Sequence, residues 1–168
     1  NLDILETVAL LTKNIARGQI LEISGDLWSV TPQQWEPMIR QKRASLFASG
    51  AKCGAIWSGA NSALQTTLYD YGLNLGVAVQ AEEDWQTGRD PEALSTALGA
   101  GRPLLPICLL LHEQGTPATR EQLRRELDTL SEAEKPACLL ERITANEMTE
   151  RLETWMQVRL DAACAALD

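Results

Sequence analysis

The sequence predicts an all-α fold, formed by one domain over residues 1–168. Apolar residues recur at helical spacing over long stretches, as they do from Asp3 to Ile23. Helix-start signatures recur as well, and the clearest is Thr31-Pro32-Gln33-Gln34, which has a hydroxyl N-cap, proline at the first helical position and an amide at N3. No run of β-branched residues alternates with polar ones, as it would in a half-buried strand.

In chain order, the first helix is predicted to end at Ser24-Gly25-Asp26, and the second to begin after Thr31. The second helix continues into a stretch rich in small residues, which would let a neighbouring helix approach closely. The glycines of this stretch are Gly50, Gly54 and Gly59. A third helix is predicted from Asp70 to Thr87.

The second half of the chain is predicted to be helical too. The segment from Gly88 to Gly101 is predicted to be irregular because one proline and three glycines interrupt it, namely Gly88, Pro91, Gly99 and Gly101. An apolar helix from about Leu104 to Leu111 is followed by a turn at Gly115. Three further helix starts are predicted from capping chemistry, before a last helix that runs to Leu167. They are Thr116-Pro117, Ser131-x-x-Glu134 and Thr144-x-x-Glu147.

The composition excludes some classes of partner. A formal net charge of -8 argues against nucleic-acid binding, which selects a basic surface, but it does not argue against binding a diphosphate through metal ions, for which acidic side chains are needed. The longest apolar run, Pro103 to Leu111, is too short to span a bilayer. The four cysteines are too scattered for a zinc pattern, and we expect buried thiols in a reducing, cytoplasmic environment.

The third predicted helix carries a polar stripe on an otherwise apolar sequence. Gln80, Glu83, Asp84 and Thr87 fall at i, i+3, i+4 and i+7, so they share one helix face. Such a stripe either turns toward a cavity to hold a cation or ligand, or it is solvated because the helix leaves the core at Glu82. Both interpretations remain open from the residues alone.

Four segments, in the same order and spacing, resemble motifs of the trans-isoprenyl diphosphate synthases, or polyprenyl synthetases. Gly18-Gln19 before Glu22 is similar to an early glycine-glutamine helix of that family. The segment from Lys42 to Ala55 resembles the Lys-Thr-Ala-x-Leu-Phe motif and the Gly/Ala-rich helix after it. The segment from Tyr71 to Thr87 resembles Gly-x-x-Leu-Gly-x-Ala-Phe-Gln-x-x-Asp-Asp-x-x-Asp, and Gly101-Arg102-x-x-x-Pro106 a Gly-Lys-x-Thr-x-Pro segment.

The resemblance implies an isoprenoid-synthase-type helical bundle, of which this chain matches the second half. In that family, two aspartate-rich helices face each other and three Mg²⁺ ions bridge their carboxylates to an allylic diphosphate. The diphosphate departs, and isopentenyl diphosphate attacks the allylic carbocation in a dry cavity. Family members usually dimerise. The first aspartate-rich motif has no counterpart in this sequence.

Carried over residue by residue, the resemblance implies a metal site at Glu83, Asp84 and Thr87. Glu83 and Asp84 match the first two aspartates of the second motif. Thr87 stands in place of the third aspartate and removes a charge. The motif is therefore degenerate, and Mg²⁺ tolerates misplaced ligands poorly. A solvated acidic patch is the alternative to a metal site.

The resemblance also implies contacts with the substrate. Lys42 matches a lysine that contacts diphosphate, and Gln80 a glutamine near the substrate; a solvated basic turn and a satisfied core amide are the respective alternatives. Arg43 replaces a threonine, so it would either bind a phosphate or pair with a carboxylate of the acidic motif and close the site. Arg102 retains a cation in the later segment.

Two functions follow from the resemblance. The first is that the chain forms the second half of a prenyltransferase, active when the first aspartate motif comes from the same chain or from a partner. It would act as a homodimer or as a heterodimer with a synthase subunit. Alternatively, it is a non-catalytic or regulatory subunit of the same fold that pairs with an active synthase. Three departures from the family pattern favour the alternative: Arg43, Thr87, and the absence of a lysine that the family has in a Gly-Lys-Pro segment shortly after the aspartates.

Overall fold

A computed structural model describes residues 1–112, 117–131 and 133–167 of the chain. These residues form α-helices and one π-helical turn, with no strand among them, which confirms the predicted all-α class. The elements are α1 (Leu2–Ser24), α2 (Pro32–Ile39), the π turn (Arg40–Ala44), α3 (Ser45–Trp57), α4 (Ser62–Arg89), α5 (Pro91–Gly99), α6 (Leu105–His112), α7 (Pro117–Thr129), α8 (Lys135–Ile143) and α9 (Asn146–Ala165).

The strongest predicted helix start is confirmed in detail. The backbone N–H of Gln34 donates to the Thr31 hydroxyl at 3.2 Å, and the Thr31 N–H donates to the Gln34 side-chain oxygen at 3.0 Å. This reciprocal pair is a capping box, and it satisfies two backbone donors that the first turn of a helix leaves without partners. Pro32 takes the first helical position, as predicted.

Two boundaries in the middle of the chain differ from the prediction. The helix predicted from Asp70 already begins at Ser62, because the Asn61 side chain accepts the Leu64 N–H at 2.9 Å as an N-cap. The segment after Gly88 is not irregular but contains α5. Asp90 caps this helix by accepting the Ala93 N–H at 2.8 Å, and the proline read as a breaker fills position N1.

Two later starts were also predicted too early. The Glu134 carboxylate accepts from both the backbone N–H and the hydroxyl of Ser131, but this pair closes a turn before α8 begins at Lys135. The Thr144 hydroxyl donates to the Leu140 carbonyl at 2.8 Å and so belongs to the end of α8. The predicted turn at Gly115 and the cap at Thr116 lie outside the described residues.

The described chain divides into two compact units, so the prediction of one domain stays a prediction. Unit 1 comprises residues 1–21, 36–80 and 155–168, and unit 2 comprises residues 22–35 and 81–154.

Within unit 1, glycines of α4 provide the closest helix approach. A Cβ atom at Gly72 would lie 2.7 Å from the Ala48 Cα, and one at Gly76 would lie 2.6 Å from the Ala44 Cα. The glycines predicted to serve this purpose do not: no described atom lies within 4 Å of a Cβ built at Gly50, Gly54 or Gly59. The small-residue stretch does take part in a close approach, at Ala48 of α3, but the glycine that permits it is on α4.

Helix α1, also in unit 1, leaves much of its apolar surface uncovered. Leu5, Val8 and Ile20, three of the residues whose spacing predicts the helix, are exposed, by 64%, 46% and 58%. The buried positions of α1 are Thr7 and Gly18. The apolar periodicity of α1 therefore marks a surface that the described residues do not cover.

A network of charged side chains ties α2 to α9 in unit 1. Glu36 accepts from Arg40 at 3.0 Å and also from Arg159, whose guanidinium lies 4.1 Å from the Trp155 ring centroid. Arg40 in turn donates to the Asn74 side chain of α4 at 2.9 Å. Burial raises the pKa of Glu36, but the hydrogen bonds from Arg159 and Arg40 outweigh it and hold the pKa below its ordinary value.

In unit 2, α6 is the most buried element. Every residue from Leu105 to Leu111 is buried. A Cβ at Gly88 would make ordinary contacts with Pro106 and Ile143, at 3.4 and 3.5 Å. The cysteines do not match the expectation of four buried thiols, because of the four only Cys108 is buried, while Cys164 is exposed.

The network around Glu36 predicts a pH-dependent contribution to stability. Because the pKa of Glu36 is lower in the folded than in the unfolded chain, its contribution is complete above the unfolded pKa and disappears as the pH falls through the folded pKa. We expect Glu36→Gln to lower the free energy of unfolding by about 1–2 kcal/mol at pH 7. Urea titrations from pH 7 to pH 3 should show the gap to wild type closing, and a gap that stays constant would contradict this assignment.

Candidate functional site

The residues predicted to form the site fall in both units. The substrate-contacting candidates of unit 1 are Lys42, Arg43 and Gln80, and the candidates of unit 2 are Glu83, Asp84, Thr87 and Arg102.

Lys42 and Arg43 lie in the π turn, and both side chains are half-buried. A π turn inserts one residue into a helix and redirects the side chains around the insertion, which is why such turns often occur at functional sites. The Ser45 hydroxyl donates to the Gln41 carbonyl at 2.6 Å and so satisfies a backbone acceptor of this turn. The two cations are thus presented by a defined backbone geometry rather than by a solvated loop.

The predicted polar stripe on α4 does not share one environment. Gln80 and Asp84 are buried, at 5% and 1% exposure, whereas Glu83 is exposed. The Thr87 hydroxyl donates to the Glu83 backbone carbonyl at 2.8 Å, a bond within the helix itself. The stripe therefore separates into two residues that enter the core and one carboxylate that faces outward.

The buried Asp84 carboxylate accepts hydrogen bonds from three separate parts of unit 2. The Trp35 indole N–H donates to its Oδ2 at 3.0 Å, and the Leu105 backbone N–H donates to the same oxygen at 3.0 Å. The Arg102 guanidinium donates to its Oδ1 at 2.8 Å. These bonds connect α4 to Trp35 of α2, to Arg102 between α5 and α6, and to Leu105, the first residue of α6.

The partners of Asp84 explain why a carboxylate is tolerated in the core. A buried charge is costly unless it is paired and hydrogen-bonded, and here one cation and two neutral donors face it. Leu105 contributes an N–H from the first turn of α6, where such groups have no partner within the helix. Burial, and to a smaller extent the nearby Asp84 carboxylate, raises the pKa of the Cys108 thiol, which keeps that thiol protonated.

The donor set of α4 does not by itself suit a magnesium ion. Mg²⁺ requires oxygen ligands in near-ideal octahedral geometry. Asp84 is enclosed by protein donors, and the Thr87 hydroxyl is directed to its own helix backbone, which leaves Glu83 as the exposed carboxylate of the predicted three. Among the described residues, no group of three or more His, Cys, Asp or Glu side chains is placed to hold a metal. That these residues ligate Mg²⁺ remains a prediction.

None of these three contacts of Asp84 was predicted from the sequence, since Arg102 was predicted to contact the substrate. Trp35 precedes Asp84 by 49 residues, and Leu105 contributes only a backbone group, so neither carries a local pattern. The one available indication is that a buried tryptophan usually finds an acceptor for its indole N–H. Trp85, next to Asp84, is buried as well and lies under the Arg89 guanidinium, 5.3 Å from the ring centroid.

Unit 1 also contains a mostly apolar cavity of about 250 Å³ between α1, α3 and α4. Lys52 lies at its wall, with its ammonium 5.9 Å from the centroid of the Tyr69 ring. The other lining residues are Thr7, Leu10, Leu11, Asn14, Ser49 and Thr66. None of the helices in the described part of the chain is both long enough and apolar enough to cross a membrane.

Comparison with known proteins gives a consistent result. The family model described as "Polyprenyl synthetase" matches residues 1–141. The octaprenyl diphosphate synthase of Escherichia coli K12 is 28% identical over 173 residues, which cover 99% of this chain and 53% of the relative. A short chain isoprenyl diphosphate synthase of Methanothermobacter thermautotrophicus is 31% identical over 115 residues, covering 65% of this chain and 35% of the relative.

Solved structures agree with the sequence relatives. A polyprenyl synthase from Caulobacter crescentus, complexed with calcium and isoprenyl diphosphate, superposes with a TM-score of 0.83 at 27% identity, over 99% of this chain and 53% of that one. A decaprenyl diphosphate synthase from Rhodobacter capsulatus has the same fold, with a TM-score of 0.80 at 22% identity and the same coverage. The chain spans about half the length of the curated relatives it matches first.

The contacts of Asp84 predict a large effect on stability at this position. We expect Asp84→Ala to lower the free energy of unfolding by about 3–5 kcal/mol, because it leaves Arg102 without its counter-charge and two buried N–H groups without an acceptor. Glu82→Ala, at an exposed position on the same helix, is the matched control and should stay within about 0.5 kcal/mol of wild type. Chemical denaturation of the three proteins measures both values, and equal losses would contradict the anchoring role.

Proposed function

The chain belongs to the polyprenyl synthetase family, and we propose that it forms the second half of a prenyltransferase that condenses isopentenyl diphosphate with an allylic diphosphate. The observation that carries this proposal is the coverage. The match extends along 99% of this chain but takes up only 53% of the octaprenyl diphosphate synthase. We propose that the first aspartate-rich motif is supplied by the same polypeptide or by a partner.

The exposed surface of α1 supports a partner segment. Its exposed large apolar residues form a surface of the kind that is usually covered in the assembled state. They are Leu2, Leu5, Val8, Leu10, Ile20, Leu21 and Ile23. We propose that helices of the other half cover this surface, and that the assembled protein is a homodimer or a heterodimer with a synthase subunit.

Lys42, Arg43 and Arg102 are the cationic side chains that we propose for diphosphate binding. Lys42 and Arg43 are half-buried, so an anion bound to them would be partly shielded from water and the interaction strengthened. The bond from Arg102 to Asp84 uses one of the five N–H donors of its guanidinium, which leaves donors for a phosphate. Gln80, in the same unit as Lys42, is proposed to contact the substrate through its buried amide.

The acidic residues of α4 receive separate roles in this proposal. Glu83 is the carboxylate through which the chain would contribute to a Mg²⁺ site that another segment completes, since it faces outward. Asp84 and Thr87 are proposed to act through structure, because their side chains bond within the chain. The Caulobacter relative was solved with calcium and isoprenyl diphosphate, which supports a cation and a diphosphate as ligands of the family.

A second candidate function is favoured by the burial and pairing of Asp84 within the acidic motif. If Glu83 alone does not suffice for a metal, the chain is a non-catalytic subunit that retains the fold and pairs with an active synthase. The enclosure of Asp84 by Trp35, Arg102 and Leu105 supports this candidate. For either function we propose a cytoplasmic location, because all four cysteines, each in the described part of the chain, are free thiols.

Substitution of Glu83 distinguishes the two candidates. In the complete polypeptide or its complex, we expect Glu83→Ala to lower incorporation of radiolabelled isopentenyl diphosphate into allylic product by about 10- to 100-fold. Glu82→Ala is the matched control, since Glu82 is an equally exposed neighbour whose carboxylate accepts from Gln86. Unchanged turnover in the Glu83 variant would contradict the catalytic proposal and favour the non-catalytic subunit.

A further inference from the structure

The π turn that carries Lys42 is in close contact with a glycine of α1. A Cβ atom at Gly18 would lie 2.5 Å from the Lys42 backbone nitrogen, 2.7 Å from its Cβ and 2.8 Å from its Cα. Gly18 is buried, and the atoms it meets are the backbone and the base of the Lys42 side chain, which cannot rotate away. Any other residue at position 18 would displace the turn or the helix.

A second glycine contacts the end of the same turn. A Cβ at Gly76 of α4 would lie 2.6 Å from the Ala44 Cα and 2.9 Å from its Cβ. Ala44 is the last residue of the π turn and is fully buried. Gly18 and Gly76 therefore hold the turn at Lys42 and at Ala44, and we name this pair the glycine clamp.

The start of the turn is fixed by polar contacts. Arg40, its first residue, donates to Glu36 at 3.0 Å and to Asn74 at 2.9 Å. The π turn is thus restrained at its first, middle and last residues by α2, α1 and α4. All of these contacts lie within unit 1.

We propose that Gly18 is a positioning residue that sets the location of the Lys42 ammonium for binding a diphosphate. This inference rests on the proposed function, because it takes the diphosphate contact of Lys42 from there. An inserted π-type turn would otherwise be free to relax, since its hydrogen-bond register differs from that of α2 and α3. The glycine clamp removes that freedom before a ligand arrives, so the cation is preorganised.

The test measures binding of inorganic pyrophosphate by isothermal titration calorimetry, with the melting temperature of each variant recorded. EDTA is present, so that binding reports on the side chains. We expect Lys42→Ala to weaken binding by more than tenfold, and Gly18→Ala to weaken it about tenfold through misplacement of the lysine. Gly50→Ala is the matched control, since a methyl group there meets no described atom within 4 Å; its dissociation constant should stay within about twofold of wild type.

Two further variants separate positioning from a general loss of structure. Asn74→Ala removes the Arg40 contact without a steric clash and should weaken pyrophosphate binding about threefold. In the Lys42→Ala background, Gly18→Ala should add no further loss, because the group it positions is absent. A further loss of tenfold in that background would overturn the inference.

Three other outcomes would overturn the inference, and the first of them would also overturn the proposed role of Lys42. If Lys42→Ala binds as wild type does, or wild type does not bind pyrophosphate, the proposed role of Lys42 fails and the inference fails with it. If Lys42→Ala weakens binding while folded Gly18→Ala does not, the inference is overturned and the proposed role of Lys42 stands. If Gly18→Ala does not fold, wild-type affinity in Asn74→Ala overturns the inference.

Discussion

The enclosed carboxylate of Asp84 is the interaction on which the rest of unit 2 depends. Three donors from separate parts of the chain converge on it: an indole N–H, a guanidinium and a backbone N–H. A buried charge is tolerated only with such compensation, and once it is present each donor also depends on it. The position of α6, the most buried helix, is thereby coupled to a side chain of α4.

This constraint also limits what the acidic motif can do. Oδ2 of Asp84 already accepts two N–H groups, and Oδ1 is paired with the Arg102 guanidinium, so a metal would have to compete with these donors. The matching charge comes from Arg102, so the protein supplies its own cation where a metal would otherwise be expected. In unit 1, by contrast, the cations of the π turn have their backbone fixed by glycine and asparagine contacts and their side chains half-exposed. Our proposal therefore assigns anion binding to this chain and makes metal chemistry depend on other segments.

The sequence predicts the fold class and those elements whose signals are local. The Thr31–Gln34 capping box and the apolar helix α6 are predicted correctly, because their causes lie within a few residues of one another. Helix α5 was missed since Pro91 was interpreted as a breaker, although Asp90 before it makes proline a good first residue. The exposed apolar surface of α1 was not predicted, because periodicity identifies an apolar face without showing whether the chain itself covers it.

The site could be predicted only in part. Motif resemblance predicts Lys42, Glu83, Asp84 and Arg102 as site residues, but it does not predict that Asp84 and Arg102 bond to each other across 18 residues of sequence. Tertiary partners such as Trp35 and the Leu105 N–H carry no sequence pattern of their own. The division between a buried and an exposed carboxylate at adjacent positions is likewise a property of packing, since both residues fit the same motif.

The most direct test of this account is thermal unfolding of the polypeptide in a Mg²⁺ titration without diphosphate. A metal site formed by this chain would stabilise it by about 2.7 kcal/mol at one hundred times the dissociation constant. For a protein of this size that corresponds to a rise of several degrees in melting temperature, at roughly 2–4 °C per kcal/mol. The account predicts no saturable rise that depends on Asp84, because this carboxylate already accepts hydrogen bonds from Trp35, Arg102 and Leu105. A saturable rise that Asp84→Asn abolishes would contradict it.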